Sequence, residues 1–303
     1  MHTDWTGVFP AVTTKFTPDD ALDLETFGVN LEAQIAAGVS GIILGGTLGE
    51  SSTLTESEKN QLVEFSLETV SGRVPVVVNI AEGSTRNAVA MARQAEKLGA
   101  NGLMVLPPMR YKSDHRETVA WFREIADATP LPIMIYNNPV DYKTEVTLAM
   151  FEELLHHPHI QAVKESTRDV SNVTRLKNAF GDRLKILCGV DTLAMEELLM
   201  GADGWVAGLV CAFPAETVAV YNLVKADWTE EALAIYRWFL PLLELDIHPK
   251  LVQYIKLAEH MTGLGTEYVR APRLPLSGEE RERVIHIVKE GLRTRPELPT
   301  LVI

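Results

Sequence analysis

Short apolar runs rich in β-branched residues alternate along the chain with longer amphipathic stretches. The runs Gly7–Thr13, Gly41–Leu44, Pro75–Ile80, Gly102–Leu106, Pro132–Tyr136, Ile160–Lys164, Lys185–Cys188 and Gly204–Val206 predict eight strands. Between them, stretches such as Leu24–Ala37, Glu56–Val70 and Ser84–Leu98 place apolar residues at three- and four-residue spacing, the period of a helix buried on one face. Glycine follows several of the predicted helices, at Ala37-Gly38, Leu98-Gly99 and Met200-Gly201. Gly38-Val39-Ser40-Gly41, Gly99-Ala100-Asn101-Gly102 and Gly201-Ala202-Asp203-Gly204 read as one short connection used three times. In each, the first glycine ends a helix and the second opens a strand.

Strands that are apolar on both faces and separated by helices imply a parallel sheet covered on both sides. Eight such units predict a (β/α)8 TIM barrel, with a doubly wound open sheet as the alternative. The pattern changes after the eighth unit. Glu230–Leu243, Pro249–Thr262 and Gly278–Leu292 predict three more helices with no strand between them. No Pro-, Gly- or Ser-rich linker precedes them. Residues 1–225 are therefore expected to form the catalytic barrel and residues 226–303 a C-terminal helical extension packed on it. A second small domain is the other arrangement.

Composition narrows the partners. A formal net charge of −13 argues against a nucleic-acid or anionic-membrane surface, while leaving room for a small anion in a locally positive pocket. Two cysteines, Cys188 and Cys211, suggest a reducing compartment. The opening Met1-His2-Thr3-Asp4-Trp5 lacks a signal-peptide layout, and no apolar run reaches the ~20 residues of a membrane helix. A cytoplasmic location is expected, and no cofactor.

In a barrel of this kind reactive groups sit at the C-terminal ends of the strands. Lys164 closes the apolar run that begins at Ile160 and should project into the mouth. Burial disfavours an ammonium, and the neutral amine is the nucleophile that adds to a carbonyl to give an imine. The competing reading is a strand-capping lysine paired to Glu165. Tyr136 ends the neighbouring strand, where a phenol can carry protons to and from a carbinolamine; it could equally be an aromatic core plug. The loop Gly45-Gly46-Thr47-Leu48-Gly49-Glu50-Ser51 suits an anion, since its glycines let backbone N–H groups converge and the helix starting near Thr55 adds its dipole. A tight turn that simply needs glycine explains it as well. The loop matches neither a phosphate-binding nor a dinucleotide motif. No histidine ends a strand. The cluster His156-His157-Pro158-His159 is expected as a solvated helix end on the opposite rim, and Cys188 as a buried thiol rather than a nucleophile.

Taken together these residues resemble the dihydrodipicolinate synthase / N-acetylneuraminate lyase family of class I aldolase-type barrels. The resemblance runs from Gly7-Val8-Phe9-Pro10-Ala11-Val12-Thr13-Thr14 through Gly46-Thr47-Leu48-Gly49-Glu50-Ser51, Tyr136-Asn137-Asn138-Pro139 and Val163-Lys164-Glu165-Ser166 to Arg273-Leu274-Pro275. It implies Lys164 as the Schiff-base lysine, Tyr136 as proton donor and acceptor, and Thr47 and Leu48 as the carboxylate-binding turn. It also implies the Thr47 hydroxyl as a relay, Gly189 and Val206 as pocket lining, a 2-oxo-acid or cyclic-imine substrate, and a homotetramer built from dimers. Three departures separate the chain from the synthase pattern. The second threonine of the strand-2 loop is Leu48. The relay tyrosine after strand 4 falls on Met109, with Tyr111 two positions on. The arginine after Y-N-x-P is missing from Val140-Asp141-Tyr142-Lys143, although Arg110 and Lys143 lie nearby. Trp5, Gly7-Val8-Phe9-Pro10, Tyr142-Lys143 and Tyr236-Arg237-Trp238-Phe239 are similar instead to the hydroxyproline-catabolic branch, which deaminates 1-pyrroline-4-hydroxy-2-carboxylate. That deaminase is the expected function. A 4-hydroxy-tetrahydrodipicolinate synthase or sugar-acid aldolase is the alternative, and a catalytically silent binding barrel the second one.

Overall fold

The computed structural model describes residues 3–108 and 110–300. Eight parallel strands, β1 (Gly7–Pro10), β2 (Ile42–Leu44), β3 (Val76–Ile80), β4 (Gly102–Val105), β5 (Ile133–Asn137), β6 (Ile160–Glu165), β7 (Lys185–Cys188) and β8 (Gly204–Ala207), run in the order β1-β8-β7-β6-β5-β4-β3-β2. The two ends of that order meet through a parallel bridge between Ala11 and Ile43 and the Val12 N–H bonded to Ile43 O at 3.1 Å. The sheet thus closes on itself as a (β/α)8 barrel. Nearly every strand residue is buried, as expected when side chains fill the interior and helices cover the outside.

Helices α1 (Leu24–Ala37), α2 (Glu56–Val70), α3 (Thr85–Leu98), α4 (His115–Asp127), the single turn α5 (Pro139–Tyr142), α6 (Leu148–Leu154), α7 (Ser171–Phe180), α8 (Ala194–Leu199) and α9 (Pro214–Lys225) fill the connections. The repeated glycine phrase has two separate causes. Gly99 and Gly201 end their helices at φ of 95° and 104°, the left-handed region that a Cβ disfavours. The second glycines are set by packing: a Cβ on Gly41 would lie 2.2 Å from the Phe9 ring, and one on Gly204 2.6 Å from Gly7 O.

Two boundaries differ from the sequence reading. Strand β1 stops at Pro10 rather than Thr13, because proline offers no N–H to continue the ladder; beyond it only the Ala11 bridge persists. The stretch from Pro139, for which no element is predicted, contains α5. Asn138 caps it, its side chain accepting from the Asp141 N–H at 3.1 Å, and Pro139 holds the first helical position.

The C-terminal part consists of α10 (Thr229–Leu243), α11 (Leu251–Thr262) and α12 (Gly278–Arg293). A cluster of Phe213, Trp238 and Phe239 seats α10 against the segment that precedes α9. The Trp238 indole donates to Gly291 O at 3.1 Å and so ties α10 to α12. Helix α11 reaches under the barrel mouth: Lys256 Nζ meets Glu50 at 2.5 Å, and Glu259 meets Lys15 at 2.7 Å, all four side chains fully buried. Among the described residues no helix is long and apolar enough to cross a membrane.

Candidate active site

The register of β5 against β6 sets Tyr136 beside Lys164 and Asn137 beside Glu165. Paired residues of neighbouring strands share a face, and successive residues alternate faces. Tyr136 and Lys164 accordingly turn into the mouth, with the lysine Nζ 4.1 Å from the tyrosine ring centroid and the lysine side chain buried. Asn137 and Glu165 turn outward and pin the loops that follow. The Asn137 side chain accepts from the Val146 N–H at 2.9 Å and donates to Val146 O at 3.2 Å. Glu165 accepts from the Thr167 N–H at 2.8 Å and from Asn172 at 2.9 Å, while burial pushes its carboxyl above the ordinary range. Glu165, the partner considered for a merely structural Lys164, therefore faces the helix layer instead.

Gly189, after β7, leaves room for the lysine. A Cβ there would lie 2.7 Å from Lys164 Cγ and Cε and 2.1 Å from Ser166 Oγ, so a side chain would displace the amine. Val206 on β8 lines the same cavity, an open space of about 960 Å³.

Across the mouth runs the turn after β2. Gly45 takes φ of 71°, and a Cβ on Gly49 would sit 3.1 Å from Gly45 N and 3.2 Å from Val12 O, so both positions favour glycine; Gly46 faces open space. Among the described residues the N–H groups of Thr47 and Leu48 have no protein acceptor, and both residues line the cavity. Between this turn and α2 lies the 3-10 turn Ser51–Thr53, and the Thr55–Glu58 capping box engages the Thr55 and Glu58 amides at the start of α2. The Thr47 hydroxyl lies 2.8 Å from the Tyr142 hydroxyl, and the Tyr142 ring stands edge-on to Tyr136 at 5.6 Å between centroids. Burial raises the Tyr142 phenol above its usual range, which keeps its proton in place. Asn138 donates to the Tyr136 hydroxyl at 3.2 Å. Thr47, Tyr142, Tyr136 and Lys164 thus follow one another across the mouth, from the β2 turn to β6.

The mouth also holds two residues that sequence reasoning missed, Arg168 and Asp246. Arg168 lies in the loop after β6, its guanidinium 3.8 Å from Asp141 on α5. A cation therefore does stand at the mouth, although no arginine follows Y-N-x-P. Its signal was weak, because Arg168 is far in sequence from the segment where such a group was sought. Arg110 also lines the cavity, whereas Lys143 does not. Met109 lies outside the described residues, as does His2, and Tyr111 is 55 % exposed on the rim. Asp246, from the 3-10 turn Glu244–Ile247 after α10, closes the cavity on the side of Gly208. An acid between the apolar Leu245 and Ile247 was the available hint. Asp191 anchors the end of β8: its carboxylate accepts from the Trp205 indole at 2.9 Å and from the Leu209 N–H at 2.8 Å.

The remaining candidates fall elsewhere. His157 and His159 stack edge to face just before β6, at the N-terminal rim, with His157 3.2 Å from Asp127. Cys188 is fully buried, its thiol directed to Val190 O at 3.3 Å and pushed well up by burial and the nearby Glu197. Among the described residues no three His, Cys, Asp or Glu side chains gather as a metal site.

An eight-stranded barrel with this mouth belongs to the class I aldolase-type lyases, whose chemistry runs through a lysine Schiff base. The chain is a member of the dihydrodipicolinate synthetase family, whose profile matches residues 4–291. The 4-hydroxy-tetrahydrodipicolinate synthase of Exiguobacterium sibiricum is 34 % identical over 286 residues, covering 93 % of this chain and 96 % of the relative. An uncharacterized DapA-like lyase of Rhizobium meliloti is 30 % identical over 299 residues, 97 % of each chain. The solved structure of dihydrodipicolinate synthase DapA-2 from Bacillus anthracis superposes with a TM-score of 0.92 at 26 % identity, covering 98 % of this chain and 100 % of that one.

Proposed function

We propose that the protein is a Schiff-base deaminase that converts 1-pyrroline-4-hydroxy-2-carboxylate to 2-oxoglutarate semialdehyde and ammonia. The observation that carries the imine chemistry is Lys164 held at 4.1 Å over Tyr136 in an open mouth. The N–H groups of Thr47 and Leu48 receive the substrate carboxylate, which brings the carbon that bears it toward Lys164. The amine adds to the ring C=N carbon, and transimination opens the ring to leave a primary amine on C5. Tyr136, linked through Tyr142 to the Thr47 hydroxyl, moves the protons of the carbinolamine steps. The enzyme-bound imine acidifies C3, so the 4-hydroxyl leaves as water. The unsaturated adduct tautomerises to a C5 imine, whose hydrolysis releases ammonia. A second hydrolysis frees Lys164. Gly189 gives the lysine stem its path, and Val206 closes the floor. Assembly into a homotetramer belongs to the same reading, and sedimentation at working concentration checks it.

Sequence features favour this substrate over aspartate semialdehyde: Leu48 in place of a second threonine and Asp141 where an arginine would bind a second carboxylate. The second reading is the synthase, favoured by Arg168 at the mouth and by the activity in the names of the relatives. Two assays on one preparation separate them. Ammonia release from the hydroxylated pyrroline carboxylate with little condensation of pyruvate and aspartate semialdehyde supports the deaminase. Efficient condensation without deamination makes it the synthase.

A further inference from the structure

Among the described residues three cavity-wall side chains carry a buried oxygen without a hydrogen-bond partner, Asn79, Ser166 and Asp246, and Asp246 is the acid of the three. Its Oδ1 is buried and has no hydrogen-bond partner among the described residues. The seat for that oxygen is made by a glycine at the end of β8: a Cβ on Gly208 would lie 2.2 Å from Asp246 Oδ1 and 3.0 Å from Leu48 Cδ1. Asp246 and Leu48 of the β2 turn therefore both approach Gly208. The charged groups that face it are Lys164 on β6, Asp191 after β7 and Asp141 on α5. Asp191 is satisfied by an indole and backbone amides; Asp246 has no such donors. Burial first, and then repulsion from Asp191, push the Asp246 carboxyl well above the usual carboxylate range, which favours the O–H form over the carboxylate. A buried polar atom left without a partner costs about 1–3 kcal/mol. An orphan of this kind on a cavity wall calls for a partner that arrives with the ligand.

We propose that Asp246 hydrogen-bonds the hydroxyl on C4 of the imine-bound substrate and supplies the proton on which that hydroxyl departs as water. The proposal rests on the Schiff-base reading above. In the step, Tyr136, left as the phenolate once its own proton has gone to the departing ring nitrogen, takes a proton from C3; the C3–H pair forms the C2=C3 bond of an enamine as the C=N pair returns to the Lys164 nitrogen. The enamine then reforms the iminium and makes C3=C4 while the C4–O bond breaks. The oxygen keeps that bonding pair, accepts the Asp246 proton and leaves as water. The Asp246 carboxylate recovers a proton from C5 as the unsaturated adduct tautomerises. No oxidant or reductant is involved.

The test is intact-mass analysis after borohydride quenching, on wild type, Asp246→Asn and Asp246→Ala, with three probes: pyruvate, the hydroxylated pyrroline carboxylate and a linear 4-hydroxy-2-oxo acid. Pyruvate has no hydroxyl to lose, so its trapping reports imine formation and an intact fold in every variant. Wild type should yield an adduct lighter by one water from the hydroxylated probes. Asp246→Asn keeps the size of the side chain but cannot deliver the proton; it should trap the adduct with the hydroxyl retained, and its dehydration rate should fall by roughly 10²–10⁴. Dehydrated adduct in both variants at the wild-type rate overturns the proposal, as does a wild-type adduct that keeps its hydroxyl with both probes. The deaminase reading fails separately: wild type that releases no ammonia but dehydrates the linear acid refutes that substrate and supports the role of Asp246.

Discussion

The two halves of the barrel mouth are built differently. The half carrying Lys164 and Tyr136 stands on β5 and β6, where strand register fixes both side chains and each outward neighbour is tied into a loop. The half carrying Tyr142, Asp141, Arg168 and Asp246 stands on a single helical turn, a loop and a 3-10 turn, and its Arg168–Asp141 pair is about half exposed. On the proposed reading, the sheet holds the groups that every imine-forming substrate needs, and the rim those that distinguish one substrate from another, where a changed loop leaves the barrel intact.

That contrast can be broken from the sheet side first. Lys164→Ala should abolish turnover and borohydride labelling by any 2-oxo acid, with the circular dichroism spectrum unchanged. Labelling of the alanine variant at the wild-type rate would remove Lys164 from the role. Tyr136→Phe should lower turnover by roughly 10²–10⁴ with a smaller change in KM; near-normal turnover would make the tyrosine packing only. Lys256→Met leaves Glu50 charged and buried behind the Thr47–Leu48 turn, and should destabilise the fold by about 3–5 kcal/mol in urea titrations. An unchanged midpoint would show that the turn does not depend on α11.

The rim should respond more gently. Arg168→Ala removes an exposed pair worth under about 1 kcal/mol, so KM for the cyclic imine should rise no more than about fivefold while pyruvate trapping is preserved. Loss of all binding would place a second substrate anion at Arg168 and favour the synthase. The smallest effect concerns acid. The Arg270 guanidinium holds Glu58, the capping residue of α2, at about 2, below its ordinary 4.5. A depressed carboxylate contributes stability that is complete above its unfolded value and lost as pH falls through the folded one. Glu58→Gln should therefore cost a fraction of a kcal/mol at neutral pH after screening, and nothing below pH about 2. A denaturation midpoint that drops equally at both pH values would contradict the pairing.

What was legible in the sequence follows the same division. Strand and helix periods, the paired glycines and the Y-N-x-P and K-E-S runs are local signals, and they located β5, β6, Tyr136 and Lys164 to within a residue. Tyr142 was noted only as part of a resemblance, because its approach to Thr47 depends on α5, whose Asn138-Pro139 start was passed over as loop. Arg168 and Asp246 gave only weak signals for a different reason. Each reaches the mouth through a chain path with no short-range pattern, and Asp246 comes from the connection between two predicted helices of the C-terminal extension.

Glu50 and Lys256 also bear on the order in which the protein comes into being. A chain leaves the ribosome from its N-terminus, so the turn that carries Thr47 and Leu48 is made long before Lys256 and Arg270, which hold Glu50 from behind. Until α11 and Arg270 have been made, Glu50 at the end of that turn lacks the ammonium and the amide that hold it in the finished protein. A chain cut short before Lys256 carries the whole barrel sequence but not these two donors.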